Sequence, residues 1–205
     1  MRTTVCGNEW VVPRPPEQID AAIPPDRVSE QGWKDWKPGA DGVIASPSTV
    51  LITMQGTSES QVTLTDVRIR VHERRPPITG TVLAAQCGDS GSYRYMTVDL
   101  DVNPPKIGTY YDSASAEFDG VPSVQRTPIS FPYRVSRTDA ETLQIVANTQ
   151  NCECLWSVEL SWSAEGRTGV LSIDDHGHPF RTTSTTNAVS CYVLENPMPC
   201  EDQHH

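Results

Sequence analysis

Three short stretches of the chain gather side chains able to do chemistry. In NCECLW, residues 151–156, two thiols stand one residue apart, a pattern open to metal ligation, redox exchange or structural bridging. In DDHGHPF, residues 174–180, two carboxylates and two imidazoles fall close together, and His176 and His178 flank Gly177 as two arms of a zinc or copper chelate would. In DLDVNP, residues 99–104, Asp99 and Asp101 offer hard oxygens suited to a cation such as calcium.

None of the three is complete. A structural zinc site wants thiolates two to four residues apart in a knuckle, and no C-x-x-C occurs in this chain. On an extended strand, the sulfurs of a C-x-C are spaced by two residue rises, roughly 6.6 Å, which suits neither a shared ion nor a mutual disulfide. Cys152 and Cys154 are therefore expected to belong to two different disulfides, with Cys87 the preferred partner for one of them. Cys6, Cys191 and Cys200 would then tie the terminal segments down. The histidines have no visible fourth ligand, and a turn at Gly177 accounts for the same residues. DLDVNP begins like an EF-hand loop, but Pro104 stands where glycine is required and Tyr110 where the bidentate glutamate belongs. No resident metal or other cofactor is expected, and Asp99, Asp101, His176 and His178 remain candidates only for a surface cation.

CGDSG, residues 87–91, resembles the GDSGG segment around the nucleophile of chymotrypsin-like serine proteases. The likeness ends at one glycine, since Ser92 and Tyr93 follow. Upstream lies only His72, in VHERR, and the residues before Ser90 are too few for the barrel and a half that should precede it. A polar turn between strands explains the segment, so Ser90 is expected to have no catalytic role. Glycoside hydrolysis would need paired carboxylates, for which Glu153 or Glu159 near Asp99 are the available groups, yet nothing distinguishes them from ordinary polar strand faces.

Composition narrows the function classes. The 205 residues suffice for a real core, with 37% hydrophobic and 20% charged residues. A net charge of −10 argues against nucleic-acid binding and against an anionic membrane surface. No apolar run is long enough to span a membrane, and the opening MRTTVCGNEWVVPRPP lacks a signal-peptide core. Six cysteines nevertheless imply an oxidising compartment. The two facts agree if the chain is an ectodomain taken without its leader or anchor, and Gln203-His204-His205 fits the start of a purification tag.

The elements that must carry these residues are strands. In residues 152–162 Cys152, Cys154, Trp156, Val158, Leu160 and Trp162 occupy alternate positions, so both thiols and both indoles face one apolar layer. Val50, Ile52 and Met54 alternate likewise. In QVTLTDVRIRVHE, Val62 and Leu64 share one phase and Val67, Ile69 and Val71 the other, which predicts a β-bulge or sheet crossing at Thr65-Asp66. AEGR predicts a hairpin with Gly166 in the left-handed region. Residues 1–46, rich in proline and without strand periodicity, read as an extended arm, with a short helical turn around residues 28–36. Trp33 and Trp36 on that turn would anchor the arm or, alternatively, stack on a sugar ligand. The expected fold is all-β, an immunoglobulin-like sandwich over residues 47–195, disulfide-stabilised, with a tail at 196–205.

The segments VLITMQGTSES, VTLTDVRIRVHERRPPITG, MTVDLDV and CLWSVELSWSAEGRTGVLSIDDHGHPF together resemble uncharacterised actinobacterial extracytoplasmic proteins, over about residues 48–184. The resemblance implies a secreted or tethered sandwich and transfers no functional residue.

The expectation is a non-enzymatic extracytoplasmic module that binds an extracellular ligand or protein, as a sensory ectodomain would. A hydrolase acting on glycan or peptide is the alternative, and a passive envelope or adhesion module the third. If the compartment is oxidising, thiol titration of the denatured, unreduced chain will find essentially no free thiol; several reactive thiols or stoichiometric zinc would contradict it.

Overall fold

The computed structural model describes residues 9–19, 41–58, 60–84, 93–108, 126–192 and 199–200. Cys6, Trp33, Trp36, Cys87 and Ser90, the turn expected at 28–36 and most of the C-terminal tail lie outside the described residues.

Two sheets enclose the main core, so the chain forms the expected all-β, disulfide-stabilised sandwich. The larger sheet runs β14 (Ala188–Tyr192), β5 (Gly80–Ala84), β1 (Trp10–Val12), β2 (Val43–Ala45), β13 (Phe180–Thr183), β11 (Glu153–Ala164), β4 (Val62–Arg75) and β9 (Tyr133–Val135), and β12 (Arg167–Ile173) pairs β11 beside this path. The smaller sheet runs β3 (Ser48–Met54), β10 (Glu141–Asn148), β6 (Tyr93–Asp99) and β7 (Lys106–Gly108), and β8 (Arg126–Pro128) also pairs β6. Parallel pairs occur in both sheets, as in β10 with β6 and β14 with β5, whereas immunoglobulin sheets are antiparallel.

Alternation decides which residues fill the space between the sheets. Val67 and Ile69 of β4, Cys154, Trp156, Val158 and Leu160 of β11, and Leu143, Ile145 and Ala147 of β10 are all buried in one cluster. Met96, Val98 and Leu100 join them from the β6 side, as their spacing predicts. The phase change in β4 is a bulge: Ser161 pairs Asp66 and Trp162 pairs Leu64, which leaves Thr65 extra. Asp66 accepts the amide of Val67 at 2.9 Å, which supports the kink locally. A second register shift, where Leu155 and Trp156 oppose Glu73 and Val71, makes His72 extra. The hairpin from β11 to β12 turns on Glu165 and Gly166, both at positive φ, the two-residue turn whose twist matches its strands.

Part of the stretch read as an arm is sheet. β1 and β2 lie inside the larger sheet, with Val11 and Val43 buried, and α1 (Pro16–Ile19) is the helix among the described residues. Strands of three residues leave no periodicity to detect, and the prolines beside them read as punctuation. Val11, Ala45 and Val82 form a second, smaller cluster.

The disulfide expectation for C-x-C is overturned. Cys152 and Cys154 bond to each other, and Cys191 bonds Cys200. The preferred link from Cys87 to the C-x-C is thereby excluded. Extended geometry was the wrong premise, because Cys152 precedes β11 in a bend whose Thr149 hydroxyl accepts the Cys152 amide at 3.2 Å. That bend brings the Cα atoms to 5.5 Å, well within disulfide range.

Trp156 is the largest side chain sealed in this core. It is 0% exposed, its indole N–H donates to Thr182 Oγ1 at 2.9 Å, and its ring lies 5.0 Å from that of Phe180. Trp156→Ala is expected to lower unfolding free energy by about 3–5 kcal/mol, through lost burial and a cavity the sheets cannot close. Glu159→Ala, one face over, removes a half-exposed contact to Arg70 at 3.5 Å and should change it by no more than about 0.5 kcal/mol. Urea unfolding of both variants checks the assignment, and a parent-like Trp156→Ala beside a collapsed Glu159→Ala would reverse it.

Candidate functional site

The residues singled out for chemistry are mostly consumed by structure. Asp101 lies just beyond β6 and grips the link between β10 and β11. Its carboxylate accepts the Thr149 hydroxyl at 2.6 Å, the amides of Gln150 and Asn151 at 2.8 and 3.3 Å, and the Asn151 side-chain amide at 3.1 Å. Asp99 turns back to accept the amide of Asp101 at 2.9 Å. With its lone pairs so occupied, Asp101 is a turn clamp rather than a cation ligand. Burial alone would raise its pKa, and the four hydrogen bonds outweigh that and hold it below the ordinary aspartate value.

DDHGHPF is a tight excursion inside one strand. β12 and β13 pair the same edge of β11, with Ile173 opposite Val158 and Phe180 opposite Trp156. Residues 174–179 protrude between them as a small hairpin in which Asp175 and His178 exchange main-chain hydrogen bonds at 2.8 and 3.1 Å. His176 and Gly177 take positive φ, and Asp174 accepts the Gly177 amide at 2.8 Å. Both histidines are exposed. Among the described residues, no three His, Cys, Asp or Glu side chains are grouped to share an ion.

The carboxylates considered for hydrolysis are not brought together. Glu159 faces away from the smaller sheet, since Val158 and Leu160 face inward, and it pairs Arg70. Glu153 is buried and forked by Arg181, with the nearer contacts at 3.0 and 2.5 Å. A serine and a histidine do meet where sequence reading did not look. His72 Nε2 lies 2.8 Å from Ser157 Oγ, because the bulge turns His72 toward the neighbouring strand. Ser157 is buried in mid-strand, without the exposed elbow that a nucleophile needs, so the pair satisfies a buried hydroxyl.

A charged cluster closes the end of the sandwich opposite Asp101. Glu141 accepts the Tyr133 hydroxyl at 2.5 Å, the Thr142 amide at 3.0 Å and Arg94 Nε at 3.1 Å, and the Arg94 guanidinium lies 5.5 Å from the Tyr133 ring centre. Burial raises the Glu141 pKa, but these donors prevail and hold it below the ordinary glutamate value, while the same bond to Glu141 raises that of Tyr133. Tyr133 belongs to the larger sheet and Glu141 and Arg94 to the smaller, so the cluster joins the two. Near β1, β5 and β14 an open hollow of about 320 Å³ is lined mainly by Pro13, Pro15, Pro16 and Gly80, and its one charge, Arg14, already pairs Asp41 at 3.1 Å.

The unspent groups lie on the main chain of β12. This strand pairs β11 on one side, and no described strand covers its other edge. The pair Ala164 and Arg167 closes the hairpin and is hydrogen-bonded, so Arg167, Gly169, Leu171 and Ile173 bond to β11. Thr168, Val170 and Ser172 aim their N–H and C=O groups at the open edge. Val170 is 61% exposed on the outer face and Leu171 54% on the inner. Exposed edges are commonly blunted by Lys, Pro, a bulge or inward charge; RTGVLSI has only Arg167, at its first position. β14 is flanked by its own chain through the Cys191–Cys200 bridge, and β3 keeps Val50 and Met54 buried and exposes Leu51 and Thr53. No helix among the described residues is long and apolar enough to cross a membrane.

Comparison with protein-family models, with curated proteins and with solved structures finds no match to this chain.

Asp101 makes a pH prediction. Its pKa is lower folded than unfolded, so its stabilisation is fully present above the unfolded value, about 3.9, and is lost as pH falls through the folded value. Asp101→Asn should cost about 1–3 kcal/mol at pH 7, with partial exposure limiting the loss. Urea titrations at pH 7 and pH 3 should show the gap between parent and variant narrowing in acid; a constant gap would remove the ionised carboxylate from the account.

Proposed function

We propose that this chain is an extracytoplasmic protein-binding module that takes its partner as an added strand on the open edge of β12. One observation carries the reading: an edge of seven residues, uncapped among the described residues, that exposes Val170 and Leu171 on opposite faces of the sheet. Main-chain donors and acceptors would supply affinity, and the alternating side chains selectivity. A catalytic role has no comparable support, since the acidic and imidazole groups described above serve turns and ion pairs. Two disulfides support an oxidising compartment, in keeping with the resemblance to secreted or tethered sandwiches.

A displayed library of random ten-residue peptides, selected on the immobilised protein, tests the edge. Selected peptides are expected to have alternating apolar residues, to slow amide exchange at Thr168, Val170 and Ser172, and to lose at least tenfold in affinity for Val170→Pro. That change removes a donor that makes no internal bond. Peptides that bind Val170→Pro as tightly as the parent, or that protect other amides, would refute the reading.

A further inference from the structure

We infer that the occupant of the β12 edge is β12 of a second copy, paired antiparallel about a two-fold axis at Val170. The inference rests on the strand-addition reading and names its partner.

Self-pairing has one register that uses the whole strand. With Val170 opposite Val170 of the second copy, Thr168 faces Ser172 and Gly169 faces Leu171. Thr168, Val170 and Ser172 are the residues whose main-chain groups point outward, so these pairs are of the hydrogen-bonded kind, each exchanging two bonds. A one-residue slip would oppose inward-bonding residues to outward-bonding ones and forfeit the ladder.

Side chains fit the same register. Gly169 is bare because the Trp162 indole covers it, and a Cβ there would stand 2.7 Å from Trp162 Cε2. In the symmetric pair Leu171 of one copy lies opposite this glycine and packs on the indole that crosses it. The two Val170 side chains meet directly on the other face. Both apolar groups exposed on each strand are covered, and the contact is isologous, so it closes at a dimer.

Charge agrees. The whole chain carries −10, which opposes self-association, but residues 167–173 include no acidic group. Arg167, whose side chain is 75% exposed and only 3.5 Å from Glu165 at its nearest, falls opposite Ile173 of the second copy, beside Asp174 and Asp175. The two-fold axis forms this attraction twice. Repulsion between the remaining charges is screened beyond about 8 Å at physiological salt. An edge-to-edge contact is small, so association in the range of about 10–100 µM is expected.

Sedimentation velocity across about 1–300 µM of the whole chain tests this. The parent should shift from monomer to dimer and no further. Val170→Pro should stay monomeric throughout while melting within a few degrees of the parent, and Leu171→Glu should do the same if Pro impairs folding. Leu51→Lys, on the edge strand β3, should dimerise as the parent does. A parent monomeric over the whole range, though its β12 edge still binds selected peptides, overturns the self-pairing and leaves strand addition standing. A dimer that survives both Val170→Pro and Leu171→Glu, or that Leu51→Lys abolishes, places the contact elsewhere and overturns the inference as well.

Discussion

The chain passes between the two sheets beside the carboxylate of Asp101, and much of the architecture depends on the hydrogen bonds it accepts. β10 of the smaller sheet ends at Asn148 and β11 of the larger one begins after four intervening residues, so the backbone must turn sharply at a partly exposed rim where only Thr149 and Cys152 are buried. A carboxylate taken from water is costly unless its lone pairs are filled. Here four donors from Thr149, Gln150 and Asn151 fill them, and in doing so fix the turn. Thr149 then positions Cys152, its amide donates to Ser46 Oγ at 2.8 Å, and Ser46 is itself in the crossing from β2 to β3. The Cys152–Cys154 bridge lies over this knot, and the Cys152 carbonyl accepts the amide of Ser184 at 3.0 Å beyond β13.

Glu141 does comparable work at the other end of β10. It ties Tyr133 of the larger sheet to Arg94 of the smaller, so the central strand of the smaller sheet is held by an ionised carboxylate at each end. Both carboxylates are kept charged against burial by hydrogen bonds, and so they retain their anchoring role at neutral pH. At these positions the acidic groups serve as anchors between segments of the fold.

Among the described residues, β12 has main-chain groups that no other strand takes up. β11 is long enough to pair β13 along its first half and β12 along its second, and the excursion at residues 174–179 separates the two. Among the described residues β12 therefore has one partner strand, β11. Trp162 crosses Gly169 without covering the strand's outer edge, where Thr168, Val170 and Ser172 have no partner strand among the described residues. Rigidity matters for binding, because an edge already extended loses little conformational freedom when a second strand joins it.

Some of this was legible in the residues alone. Alternation assigned the inward faces of β4 and β11, a change of phase marked the bulge at Thr65, and Gly166 in AEGR marked the hairpin, because each is a local consequence of a period of two or of allowed φ. Gly177 likewise disclosed the turn that absorbs His176 and His178. The pairing of Cys152 with Cys154 was not legible, since it depends on a bend fixed by Asp101, some fifty residues away in the chain. Nor were β1 and β2, whose three residues acquire strand geometry only from neighbours such as β5 and β13. That RTGVLSI is a strand follows from its sequence; that it is an edge, with Val170 and Leu171 uncovered, is decided by which strands the rest of the fold places beside it. Local periodicity determines the conformation of a segment, whereas exposure is a property of its neighbours, and neighbours are chosen by tertiary packing.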